Sequence, residues 1–130
     1  MIRYLLDTNA WLNILDNPER LSEKSRLVLR DETAFAISPM SIVEIVQKIS
    51  RGRLVLNTPV DTWISQAMGT IGTLLPITPE IALEAYRLPD FHDDPADRII
   101  TATARVHDLI LVSSDKKLIA HPGIRTLSTR

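Results

Sequence analysis

Ile2-Arg3-Tyr4-Leu5-Leu6-Asp7-Thr8-Asn9 is a short, mostly apolar run cut off by an acid. A brief apolar run that ends in turn residues reads as a strand buried on both faces, the kind found in parallel sheets. Residues 2–6 therefore predict a first strand, with Asp7 at its carboxyl end. Segments of helical period follow. The spacing predicts helices over 10–15 and 21–30, separated by Pro18, with Ser22 and Ser25 as a weak cap. Residues 34–37 predict a second strand. Ser38-Pro39 then opens a helix with a hydroxyl cap and a proline at the first helical position. Its apolar stripe is Ile42, Ile45, Val46 and Ile49, and Gly52 suits the residue just past its end.

The same pattern recurs downstream. A helix is expected over 60–68, between Pro59 and Gly69, and a strand over 74–77. Pro76 cannot donate to a ladder, so that strand belongs at a sheet edge. Thr78-Pro79 opens a helix over 80–87, and Asp94-Pro95 opens another that runs to about His107. A strand over 109–112, a helical turn over 116–120 and a last strand over 125–127 complete the chain. Single strands separated by helices imply an α/β fold, a parallel sheet with helices on both faces. No repeat, low-complexity stretch or long linker divides the chain, so 1–130 reads as one domain.

Composition narrows the functions. The 130 residues include 15 Lys plus Arg, 16 Asp plus Glu and no Cys. The absence of Cys excludes disulfides, thiolate zinc sites, iron–sulfur clusters and a cysteine nucleophile. A formal charge of −1 argues against coating DNA by bulk positive charge. The first strand meets Asp7 too early for a signal-peptide apolar region, and no apolar run approaches the roughly 18 residues of a membrane span. The expectation is a soluble, cytoplasmic protein.

Four acids stand out by context. Asp7 and Asp115 follow strands, Glu44 sits inside a helix, and Asp97 lies in the first turn opened by Asp94-Pro95. In open α/β sheets the functional crevice lies beyond the carboxyl ends of the strands, where strand order reverses. If the strands before Asp7 and Asp115 are neighbours, both carboxylates reach one crevice. Clustered carboxylates raise one another's pKa and need a counter-charge. An all-oxygen set suits Mg²⁺ or Mn²⁺, which assists hydrolysis of a phosphodiester. Each acid also has a purely structural reading. Asp7 fits a strand-end turn, Glu44 a surface partner of Lys48, Asp94 and Asp97 a helix cap and first-turn acid, and Asp115 a cap of the 116–120 turn.

At these residues the sequence resembles a known family. Leu5-Leu6-Asp7-Thr8-Asn9, Ser38-Pro39-Met40-Ser41-Ile42-Val43-Glu44-Ile45, Lys48 with Gly52-Arg53-Leu54, Leu75-Pro76-Ile77-Thr78, His92-Asp93-Asp94-Pro95-Ala96-Asp97-Arg98 and Leu111-Val112-Ser113-Ser114-Asp115 occur in order. Together they are similar to PIN-domain ribonucleases, specifically the VapC-type toxins of bacterial toxin–antitoxin pairs. The resemblance implies sheet order 3-2-1-4-5, which sets the first and fourth strands side by side. It also implies Mg²⁺ or Mn²⁺ held by Asp7, Glu44, Asp97 and Asp115, with Asp94, Asn9 and Ser113 in support. An RNA substrate, dimerisation, and a small VapB-like antitoxin lying across the active-site groove are implied in the same way. Two positions depart from the pattern. Relatives often carry Trp before the helix Glu and Arg before the Asp-Pro, where this chain has Val43 and Asp93.

RNA needs cations near an acidic hole. Lys48, Arg51 and Arg53 cluster around the end of the third helix, and Arg98, Lys116 and Lys117 neighbour the acids. Arg98 has a second reading as a neutraliser of those acids. His92, His107 and His121 share no ligand spacing, although His92 adjoins the acidic turn. Trp11 and Trp63 read as core or interface residues. The glycine-containing run 69–73 lacks the Lys-Ser/Thr of a phosphate loop. Two rivals remain: a phosphoacceptor receiver domain, which lacks support from an acid ending the third strand, and a PIN-like module that binds without cutting. Setting aside Asp7, Glu44, Asp94, Asp97 and Asp115 leaves 15 basic against 11 acidic residues.

Overall fold

Tyr4–Leu6 (β1) is buried at every residue, as a two-sided strand must be. In the computed structural model, which describes residues 1–70, 72–91 and 93–130, β1 is the middle of a five-stranded sheet of order β3-β2-β1-β4-β5. The other strands are Phe35–Ile37 (β2), Gly72–Leu74 (β3), Ile110–Ser113 (β4) and Thr126–Ser128 (β5); β1 pairs with β2 and β4, β2 with β3 and β4 with β5, all in parallel. Receiver domains have the order 2-1-3-4-5, so that rival falls.

Parallel strands need crossovers, and helices supply them. These are Thr8–Asp16 (α1), Glu23–Leu29 (α2), Pro39–Ser50 (α3), Val60–Thr70 (α4), Pro79–Glu84 (α5), Pro95–Val106 (α6) and Lys116–Ala120 (α7), with a 3₁₀ turn at Pro18–Arg20. The expected caps form. Ser22, Ser38, Thr78 and Asp94 each accept a backbone N–H of the first helical turn, and proline occupies the first position of α3, α5 and α6.

Strand alternation sorts side chains between two cores. Tyr4, Leu6, Ile37 and Val112 pack with Trp11, Ile45 and Trp63 on one face. Leu5, Ala36 and Leu111 pack with Ile100, Ala104, Leu118 and Ile124 on the other. Each fully buried aliphatic side chain contributes about 1.5–3 kcal/mol, so the sheet is clamped from both sides.

Two expectations shift. The third strand lies at the sheet edge as expected, but it occupies Gly72–Leu74 rather than 74–77. Pro76, lacking an N–H, falls beyond the ladder, whose last bond runs from the Leu75 amide to the Ile37 carbonyl. Val46 belongs to no buried stripe: it is 43% exposed, whereas Ile45 beside it is fully buried.

Helix α3 ends on Gly52, whose φ of +69° places it in the left-handed region. The Gly52 amide donates to Ile49 and the Arg53 amide to Lys48, the paired bonds of a Schellman cap. The chain turns sharply there and returns past the carboxyl ends of the strands.

Candidate functional site

β1 and β4 are hydrogen-bonded neighbours on either side of the point where strand order reverses. Leu6 pairs with Val112, so the residues after them emerge together. Asp7, Glu44, Asp94, Asp97 and Asp115 line one pocket of about 190 Å³, with Thr8, Asn9, Lys48, Ser114 and Leu118. The four acids singled out in the sequence, and Asp94 beside them, are thus brought together from separate segments.

The structural readings of these acids hold as well. Asp7 Oδ1 accepts the Ala10 amide at 2.8 Å and caps α1. Asp94 Oδ1 accepts the amides of Ala96 and Asp97, fixing the first turn of α6. Asp115 Oδ1 accepts the Lys117 amide at 2.8 Å and caps α7. In each case the second carboxylate oxygen is not spent on the cap. Capping and pocket lining are compatible because both need an acid where a strand hands over to a helix.

Burial above all, with the charges of Asp97 and Glu44 adding to it, raises Asp7 to about 6 against hydrogen bonds from Ser113 and the Ala10 amide. Burial likewise raises Glu44, and Asp97 and Asp94 add to the rise, while the Thr8 hydroxyl and the Lys48 charge oppose it. Five acids that repel one another, offering only oxygen, have the chemistry of a hard divalent cation site. Oxygen donors of this kind suit Mg²⁺ or Mn²⁺ by chemical type. Among the described residues no three acids close into a ligand cage, so the carboxylates line the pocket without converging on one point.

Supporting residues divide. Asn9 accepts a hydrogen bond from Lys48 Nζ at 3.2 Å, linking α1 to α3. Ser113 accepts the Asp115 amide and bonds Asp7. Two hydroxyls escaped notice in the sequence: Thr8 donates to Glu44 and lies 3.0 Å from the Ser41 hydroxyl, both being buried. Their signal was positional, since Thr8 follows the strand-end acid and Ser41 precedes Glu44 by three residues on one helix face.

The cations also divide. Lys48 lines the acidic pocket, and Arg53 lines a groove of about 740 Å³ that shares Asn9, Lys48 and Ser114 with it. Arg51 and Lys116 are exposed and line neither cavity. Arg98 as an RNA contact is a correction, whereas its second reading agrees with an ion pair to the neighbouring Asp93, Nη2 to Oδ1 at 3.6 Å. It is 9% exposed, and its guanidinium donates to the carbonyls of Ala85 and Phe91 at 3.0 and 2.9 Å, between the rings of Tyr86 and Phe91. Its apolar stem and planar fork suit such a clasp, so Arg98 neither presents itself to a ligand nor lines the acidic pocket. Trp11 and Trp63 pack against each other in the core. His92, and Ile71 within the run 69–73, lie outside the described residues.

Comparison with known proteins agrees with this architecture. The PIN domain family model matches residues 4–123. Ribonuclease VapC22 of Mycobacterium tuberculosis is 34% identical over 122 residues, covering 93% of each chain. VapBC2 from Rickettsia felis, solved bound to a fragment of promoter DNA, superposes over 100% of both chains with a TM-score of 0.74 at 15% identity. DNA-bound VapBC from Salmonella typhimurium does so with a TM-score of 0.74 at 18% identity, again over 100% of both chains. A toxin–antitoxin complex from Klebsiella pneumoniae covers 98% of each chain with a TM-score of 0.71 at 21% identity. At these identities the solved structures speak for the fold.

Proposed function

The chain belongs to the PIN-domain family, and from that premise we propose that it is a metal-dependent endoribonuclease, the toxin of a bacterial toxin–antitoxin pair. One observation carries this reading: acids from the ends of β1 and β4, from α3 and from the start of α6 line a single pocket. The likeness to Ribonuclease VapC22 supports RNA as the substrate.

Asp7, Asp97 and Asp115 would hold Mg²⁺ or Mn²⁺, with Glu44 serving a second ion or the attacking water. When bound, the ion supplies Lewis acidity and charge neutralisation at a phosphodiester. The chain's residues prepare that chemistry. Thr8, steadied by Ser41, fixes the Glu44 carboxylate on the buried side of α3. Asp94 holds the first turn of α6 and so sets the position of Asp97. Lys48 balances part of the local negative charge and braces Asn9. In-line attack by water leaves a 5′-phosphate and a 3′-hydroxyl.

A small VapB-like antitoxin would silence the enzyme by laying a segment across the groove, a reading supported by relatives solved as toxin–antitoxin complexes. A homodimer is supported by Val43 and Val46 on α3 and by Leu83 on α5 and Tyr86 just past its end, at 52, 43, 59 and 66% exposure. Both helices pack on α6, and apolar side chains left in water beside a shared support favour self-association. No helix among the described residues is long and apolar enough to cross a membrane, which is compatible with action in the cytoplasm.

The test is paired. Wild type and Asp7→Asn are induced in bacteria, and both purified proteins are incubated with RNA and Mn²⁺. Growth arrest and cleavage by wild type alone are expected. Equal growth and equal cleavage would refute the proposal.

A further inference from the structure

The 740 Å³ groove beside the acidic pocket differs from it in kind. Its cations are Arg20, Lys48 and Arg53, and its one carboxylate, Asp16, already accepts the indole N–H of Trp63. Four asparagines open into it. Asn9 is engaged by Lys48, but the side-chain amides of Asn13, Asn17 and Asn57 make no hydrogen bond to the described residues. Asn13 within α1 and Asn17, the residue that caps its end, both line the groove. Asn57 faces the same cavity from the segment that the Gly52 cap turns back over the strand ends. Each amide therefore keeps a donor and an acceptor in one plane, unspent, above a floor of leucine side chains.

That combination has a chemical match. Cations attract a phosphate backbone, and a planar amide pairs with a base edge through two hydrogen bonds. A base edge is available only where RNA is unpaired, because side chains cannot enter the deep, narrow groove of A-form duplex. Asn9, Lys48 and Ser114 line both cavities, so a strand seated here continues into the carboxylates. We propose that this groove is the specificity site for single-stranded RNA, in which Asn13, Asn17 and Asn57 read the bases flanking the cut while Arg20 and Arg53 hold their phosphates. This rests on the nuclease reading above and adds to it which residues choose the sequence.

Two measurements test it. Wild type and the single variants Asn13→Ala, Asn17→Ala and Asn57→Ala are given a randomised single-stranded RNA pool with Mn²⁺, and the cut ends are sequenced. At least one variant should lose about tenfold of its preference for a base beside the cut, with an unchanged melting temperature. In parallel, Asp7→Asn protein is photocrosslinked to the same pool carrying 4-thiouridine, and crosslinks are expected within residues 12–20 or 53–57. Cleavage by wild type with an identical profile in all three variants, or weaker antitoxin binding as their sole effect, overturns the specificity site and leaves the nuclease reading intact. Groove crosslinks without cleavage by wild type do the reverse: they support the RNA site and overturn the nuclease. Crosslinks confined elsewhere overturn the site.

Discussion

The backbone amide of Asp7 donates to the carbonyl of Val112 at 3.1 Å, so the acid that ends β1 is pinned to β4 one residue before Ser113. The carboxylate cannot swing away from its neighbours, and burial raises it to about 6. Under the proposed function, in which Asp7 would hold a metal ion, a proton competes with that ion close to neutrality. Mn²⁺ affinity measured calorimetrically should fall about tenfold per pH unit once the pH drops below about 6.

The same shift acts on stability with the opposite sign. Asp7 binds its proton more tightly folded than unfolded, so its favourable contribution is complete below the ordinary carboxylate pKa. That contribution is lost as pH rises through about 6. Glu44 is shifted in the same direction. Metal-free protein should therefore gain stability from Asp7→Asn above about pH 7, by about 1–2 kcal/mol after allowance for solvent in the pocket. Urea melts with a chelator present measure this, and no gain would contradict it.

Thr8→Val keeps shape and removes the hydroxyl that serves Glu44. Leaving a half-buried carboxylate without that donor should cost about 1–2 kcal/mol and lower single-turnover cleavage roughly tenfold. Thr8→Ser, which restores the donor, should recover cleavage. Unchanged cleavage in Thr8→Val would refute the hydroxyl's role, and failure of Ser to rescue would mean that the hydroxyl alone does not suffice.

Arg98 and Arg53 should separate cleanly. Arg98→Ala strips two carbonyls of their donor and opens the stack between Tyr86 and Phe91, which should cost about 3 kcal/mol. Arg53→Ala should leave the melting temperature alone, weaken RNA binding and reduce the salt slope of affinity by about 1. Denaturation curves and salt titrations of Asp7→Asn protein carrying each change decide the matter.

Gly52→Ala tests the cap of α3. The left-handed φ of +69° disfavours any side chain although space around it is open, so a loss of about 1 kcal/mol is expected. A neutral effect in urea melts would show that the turn relaxes.

Much of this was legible in the sequence because it is local. Ser38-Pro39, Thr78-Pro79 and Asp94-Pro95 announce helix starts through the chemistry of one or two residues, and the short apolar runs announce strands. The gathering of Asp7 and Asp115 was legible only conditionally, since it needed β1 beside β4, and sheet order is a tertiary fact. For Arg98 the sequence left two roles open, and packing decides between them: the guanidinium is buried on the Ala85 and Phe91 carbonyls and pairs with Asp93, so it is not presented to RNA. The third strand was misplaced by following apolar Leu74-Leu75 toward Pro76, whereas pairing to β2 begins at Gly72. Thr8 carries no chemical label of its own, and its role exists only once α3 packs on α1.

The adjacency of β1 and β4 has a temporal side. Asp7 leaves the ribosome 108 residues ahead of Asp115, and β1 has only β2 to pair with until β4 has emerged. Such sequence-distant pairing is slow and forms late. A growing chain thus lacks the assembled pocket until β4 and Asp115 have both left the ribosome.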